Sequence, residues 1–185
     1  VERAAHLCID RAIAGMVTAP VNKEAWHMAG FEDTGHQEVF KRLTGSGYVA
    51  TMLVSGELRC MHLSTHKPLR EACDYVTRPN VLRAIKLTDS EFKNWGFERP
   101  RIAVAGLNPH AGEEGRFGDE EQRIIEPAMQ MARNAGIDVE GPFPADTLFL
   151  SERRSRYDGI VAMYHDQGLI PLKMLAFDSA VNITL

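Results

Sequence analysis

Apolar positions along this chain come in two spacings. Short, nearly continuous runs at 16–19, 50–54, around Ile102 and Val104, and at 159–164 read as buried strands. The run at 58–64 partly alternates, and with 50–54 it reads as a hairpin turning at Ser55-Gly56-Glu57. Elsewhere the spacing is helical. Ala5, Leu7, Cys8, Ile9, Ala12 and Ile13 mark a helix over 2–14 that stops at Gly15. A second, over 36–43, would be capped by Asp33 or Thr34 and end near Gly45. Pro68 opens a helical run through Val76. Thr77 and Pro79 start another, with Val81, Leu82, Ile85, Phe92 and Trp95 along it and Gly96 as its stop. In the last, 120–135, Pro127 must kink the helix or mark where its second part begins. Residues 141–146, Gly-Pro-Phe-Pro-Ala-Asp, read as a rigid loop. Strands alternating with helices, plus one hairpin, predict an α/β fold with a largely parallel sheet and some antiparallel part.

Composition narrows the function classes. An apolar fraction of 44%, a charged fraction of 25% and a net charge of −4 describe an ordinary soluble protein. No run reaches the roughly 18 apolar residues of a membrane span, and no basic segment leads an apolar stretch as in a secretory signal. Lys and Arg are scattered, which argues against a nucleic-acid partner. Cys8, Cys60 and Cys73 form no CxxC pair, so the expected setting is a reducing cytoplasm. The chain starts at Val1, already in a helical pattern, and stops within the extended apolar segment 180–185. A fragment of a longer enzyme is expected.

The candidate chemistry sits at strand ends. His66, His110 and His165 each follow an expected strand and precede Pro or Gly within a few residues. In open α/β sheets ligands sit beyond the carboxyl ends of the strands. If the strands are parallel neighbours, three neutral imidazoles converge as a catalytic divalent metal requires. Asp146 can add an oxygen ligand or orient one ring. On spacing alone, three unrelated loop histidines, some hydrogen-bonded to backbone, remain the simpler reading at this point. His36, at a helix start after Thr34-Gly35, suits a phosphate or carboxylate, or is simply a solvated helix-start residue. Lys173 can neutralise an anion or transfer a proton. Residues 112–118 are glycine-rich but fit no phosphate loop, and their acidity argues against that role.

Taken together, Thr34-Gly-His36, Ser64-Thr-His66, Gly106-Leu-Asn-Pro-His-Ala-Gly-Glu113, Gly141-Pro-Phe-Pro-Ala-Asp-Thr147, Met163-Tyr-His-Asp-Gln-Gly168 and Val181-Asn-Ile-Thr184 carry a resemblance. Over essentially its whole length the chain resembles the 4-hydroxythreonine-4-phosphate dehydrogenase family of pyridoxal phosphate biosynthesis. The resemblance implies an isocitrate/isopropylmalate-dehydrogenase-like fold, a homodimer with the active site at the subunit interface, a divalent metal (Zn, Mg or Co) and NAD, with NADP as the alternative. It assigns the metal to His66, His110 and His165, with Asp146 as an acidic neighbour. It assigns substrate contacts to His36, Gln37, Lys173 and Asn182, and Lys173 is the candidate for proton transfer. This chain would be the central and partial C-terminal portion of a two-lobed subunit whose N-terminal portion and C-terminal end are absent.

The implied reaction is oxidation and decarboxylation of 4-phosphohydroxy-L-threonine. Position 37 departs from the pattern: it is Gln where the biosynthetic enzymes usually carry Thr. That opens D-threonate or D-erythronate 4-phosphate as the substrate. Outside this class stand a metal-dependent hydrolase or aldolase using the same histidines without nucleotide, and an inactive fragment that retains only metal binding or dimerisation.

Overall fold

Helices alone make up Val1–Val49, the first unit of the computed structural model, and the sheet belongs to the second, Ala50–Leu185. The structure describes residues 1–33 and 35–185. In the first unit, α1 (Glu2–Ile9) is shorter than its apolar pattern predicts. Arg11 turns to a φ of 58°, and the Ala12 N–H closes back onto the Leu7 carbonyl at 2.9 Å, which ends the helix before Ala12 and Ile13 can join it. The strand expected at 16–19 is not formed. Val17 is fully exposed, and the next ordered element is instead α2 (Lys23–Met28), capped by Asn22 Oδ1 accepting from the Ala25 N–H at 2.9 Å. The third helix, α3 (His36–Thr44), ends as predicted on left-handed Gly45. Of its two expected caps, Thr34 lies outside the described residues. Asp33 is used elsewhere: it receives Arg42, at 2.6 Å, and Arg42 also reaches Glu2 of α1 at 2.7 Å. Gly35 holds the N-cap position.

The second unit runs β1 (Thr51–Ser55), β2 (Leu58–His62), α4 (Leu69–Asp74), α5 (Arg78–Asn94) and β3 (Arg101–Ala105). A turn at Pro109–Gly115 and a π-helical turn at Glu121–Ile125 lead into α6 (Glu126–Asn134). Then come β4 (Asp138–Phe143), α7 (Ala145–Leu148), α8 (Ser151–Arg154), β5 (Gly159–Ala162), α9 (His165–Ala176) and β6 (Val181–Thr184). The sheet order is β4-β3-β5-β2-β1-β6. The first four are mutually parallel, and β1 runs antiparallel to both β2 and β6. The hairpin and the mixed, mostly parallel sheet are therefore as expected.

Local chemistry explains most of the boundaries. The Thr77 hydroxyl accepts from the Asn80 N–H and begins α5. Pro127 falls in the first turn of α6, where its missing N–H is not needed, so it starts the second part of the helix rather than kinking one piece. In this unit one strand differs from expectation, and one helix had no expectation attached to it. Part of the segment read as rigid loop is strand β4, which tolerates Pro142 because it is the edge of the sheet and has an unpaired side. The segment after residue 164 is the helix α9, with Pro171 inside it.

Side chains alternate across the sheet. Cys60, Ala103, Ala105, Ile160 and Ala162 form one face, packed with Leu148, Phe149 and Leu172 from the α7 region and α9. The opposite face, with Ile102, Val104 and Val161, meets α5, whose Phe92 ring covers Gly159. A Cβ at Gly159 would drive into that ring, so Gly159→Ala is expected to cost about 2 kcal/mol through overpacking. Urea unfolding would show it as a lowered midpoint, and an unchanged midpoint would refute the packing argument.

Candidate functional site

The three strands that lead to histidines are parallel neighbours in the order β3-β5-β2. Their carboxyl ends are laced together. Gln167, in the first turn of α9, accepts the Met163 N–H on Oε1 at 2.7 Å and donates Nε2 to the Gly106 carbonyl at 2.7 Å. That one amide joins the end of β5 to the end of β3. The Ser64 hydroxyl donates to the Met163 carbonyl at 3.2 Å, joining β2 to β5.

On this edge His66 and His165 come together, with ring centroids 6.0 Å apart. His66 is exposed on the loop after β2, and His165 opens α9. The Nδ1 of His165 lies 2.6 Å from Asp166 Oδ1. A proton on Nδ1 donates to that carboxylate and leaves the Nε2 lone pair outward, the arrangement found in metal-bound imidazoles. Close to His165, and packed against Gly168 of α9, is His62, the last residue of β2, only 1% exposed. Neither of its ring nitrogens has a hydrogen-bond partner among the described residues. Burial, with His165 acting in the same direction, outweighs the backbone at Thr51 and Cys60 and pushes its pKa down from 6.5 to about 4, so this imidazole is neutral.

His110 is held differently. It sits in the turn after β3 with a φ of 53°, and its ring centroid is 6.0 Å from that of Phe117. Asp146 is exposed on α7. Among the described residues, no group of three His, Cys, Asp or Glu is close enough to hold a metal ion. The structure thus pairs His66 with His165 and does not bring His110 or Asp146 into a common ligand set. Lys173 is exposed on α9, and Asn182 is exposed on β6, opposite Leu53 of β1. His36 and Gln37 open α3 in the first unit. The His36 ring stands edge-on to Trp26, at 5.5 Å, and its buried Nε2 has no hydrogen-bond partner among the described residues.

Sequence reasoning missed His62, Gln167 and the buried Glu121. Gln167 lay inside a quoted motif, but its two bonds span strands that only the fold makes neighbours.

The family model described as "Pyridoxal phosphate biosynthetic protein PdxA" matches residues 1–185 of this chain. The chain belongs to the PdxA family. Among curated PdxA-like relatives, it is 49% identical over 184 residues to the D-threonate 4-phosphate dehydrogenase of Salmonella typhimurium (strain LT2), covering 100% of this chain and 56% of that protein. It is 48% identical over 173 residues to the 4-hydroxythreonine-4-phosphate dehydrogenase of Beijerinckia indica, covering 94% of this chain and 51% of the relative. The crystal structure of a 4-hydroxythreonine-4-phosphate dehydrogenase from Klebsiella pneumoniae superposes with a TM-score of 0.94 at 47% identity, over 99% of this chain and 56% of that one. The chain thus spans about half the length of the curated PdxA relatives it matches.

Proposed function

We propose that this chain is part of an NAD-linked, divalent-metal-dependent dehydrogenase that oxidises a 4-phosphorylated 3-hydroxy acid and releases CO₂ from the 3-keto product. The observation that carries this reading is the pair of imidazoles, His66 and His165, beyond adjacent parallel strands in a PdxA-family chain. Two rings sharing one ion through nitrogen–metal bonds of about 2.0–2.1 Å stand roughly 5–6 Å apart between centroids. The observed 6.0 Å is close to that range, so a small approach of the two rings would let them share an ion. His110 is the proposed third donor, and Asp146 the proposed acidic neighbour. When bound, the cation (Zn, Mg or Co) supplies Lewis acidity at the substrate hydroxyl, and NAD or NADP supplies the hydride acceptor. Lys173 takes the hydroxyl proton as the alcohol becomes a ketone. His36, Gln37 and Asn182 bind the substrate's anionic and polar groups. The neutral His62 close to His165 adds no competing positive charge. The same reading carries an isocitrate/isopropylmalate-dehydrogenase-like subunit, working in the cytoplasm as a homodimer with its site at the subunit interface.

The substrate in this reading is 4-phosphohydroxy-L-threonine, and Gln37 opens D-threonate or D-erythronate 4-phosphate as the alternative. At C2 D-threonate 4-phosphate carries a hydroxyl, which the longer glutamine amide can reach with both a donor and an acceptor where Thr would offer one short hydroxyl. There 4-phosphohydroxy-L-threonine carries an ammonium, which only donates. In the full-length protein, Gln37→Thr is expected to shift the kcat/KM ratio toward the ammonium substrate by about tenfold, roughly 1.4 kcal/mol. NADH formation with each acid measures it. No NADH from either acid would remove the dehydrogenase reading itself.

A further inference from the structure

The acidic, glycine-rich stretch behind His110 has no part in the reaction proposed above, yet it is built around one buried carboxylate. Glu121 opens the π-helical turn ahead of α6 and is 1% exposed. Its side chain turns back onto the end of β3. Oε1 accepts the N–H groups of Leu107 and Asn108, each at 2.7 Å, and Oε2 accepts Nδ2 of Asn108 at 3.0 Å. Asn108 Nδ2 also donates to Glu120 at 2.7 Å. Two glycines make room for the carboxylate: a Cβ on Gly112 would stand 2.7 Å from Oε2, and one on Gly106 would stand 3.1 Å from Oε1.

From His110 to Glu114, just past Pro109, the backbone is left-handed. His110, Ala111, Gly112, Glu113 and Glu114 have φ values of 53°, 53°, 84°, 41° and 56°. Residues with a Cβ are disfavoured there, and consecutive ones persist only where the surroundings impose the conformation. The Glu121 carboxylate is placed to impose it. It grips Leu107 and Asn108 just before the run begins and closes against Gly112 in its middle. Ala111 completes the turn by donating its N–H to the Asn108 carbonyl at 3.1 Å.

We propose that Glu121 is a positioning residue that holds His110 in its left-handed conformation and so sets where the imidazole is presented at the end of β3. The link to metal rests on the reading of His110 as a donor. In Glu121→Gln the amide keeps one acceptor oxygen for the Leu107 and Asn108 N–H groups but turns a donor toward Asn108 Nδ2 and removes the charge, so the grip is weakened without a change of volume.

The test uses full-length protein and Co²⁺ as the probe. Glu121→Gln is expected to weaken Co²⁺ binding in calorimetry by about tenfold or more, the size of loss seen when a ligand's supporting partner is removed. It should change the Co²⁺ visible absorption in the same direction as His110→Ala, and accelerate amide exchange at Leu107 and Asn108. A purely structural effect would lower stability without moving the absorption bands. Wild-type affinity, spectrum and exchange in a folded Glu121→Gln would overturn the proposal. If His110→Ala leaves Co²⁺ binding untouched, the donor reading of His110 fails separately, and unaltered amide exchange in Glu121→Gln would still overturn the anchoring role. Should Glu121→Gln not fold, Asn108→Ala, which removes a single contact to the carboxylate, must show the same changes in weaker form, and their absence counts against the proposal.

Discussion

Replacing His165 with alanine in the full-length protein is expected to reduce divalent-metal affinity and NAD-linked turnover by at least about a hundredfold each. Loss of a partner that merely orients a metal ligand costs roughly 10–100-fold, and His165→Ala removes the proposed ligand itself, the ring that Asp166 orients. His66→Ala should behave alike, because the two rings are companions at 6.0 Å. The fold should survive both changes. His66 is exposed, and His165 stands at the start of α9 outside the buried core. Elemental analysis of the purified variants and NADH formation give the two readouts. Stoichiometric metal retained in His165→Ala would end the metal-site reading, whatever happened to turnover.

What the sequence revealed, and what it hid, follow from how far each signal reaches. The start of α5 was legible because Thr77 and its partner Asn80 are three residues apart, and Pro79 lies between them. The strand ends before His110 and His165 were legible because buried parallel strands leave continuous apolar runs that stop abruptly, and the one before His66 because its partly alternating run forms a hairpin with 50–54. Strand β4 was not, since Pro142 argues against a strand unless its place at the sheet edge is already known. Helix α9 was hidden for another reason: Ile170, Met174 and Phe177 are exposed while Leu172 is buried, so apolar residues surround it and no amphipathic period emerges. Residues 16–19 erred the other way, being apolar enough for a strand but left unpaired. At the site, the histidines could be named from their positions along the chain. Their supports could not, because Glu121 bonds across 13 and 14 residues and Gln167 across 61, and both resemble ordinary polar helix residues until the sheet is assembled. The left-handed backbone that carries His110 was hidden likewise, since nothing but its glycines gave notice of it.

His62 should make the protein lose stability on mild acidification. In the unfolded chain its imidazole titrates near pH 6.5; in the folded protein, burial, seconded by His165, pushes the pKa down to about 4. The unfolded state therefore binds a proton in this range that the folded state refuses. The neutral ring's contribution is fully present above about pH 6.5 and is lost as pH falls toward about 4, amounting to about 3 kcal/mol. The ring cannot relax easily to accept the charge. Gly168 of α9 lies directly against its Nε2, and a Cβ there would also stand 2.6 Å from the Cys60 sulfur. His62→Leu keeps similar bulk and removes the titration. Its urea midpoint should fall less steeply than that of the parent protein between these two pH values, and the variant should be the more stable of the two in acid. Carboxylates elsewhere contribute equally to both proteins, so the difference between the curves isolates His62. Parallel curves would mean that the buried imidazole is already protonated or that its site opens to water before it titrates.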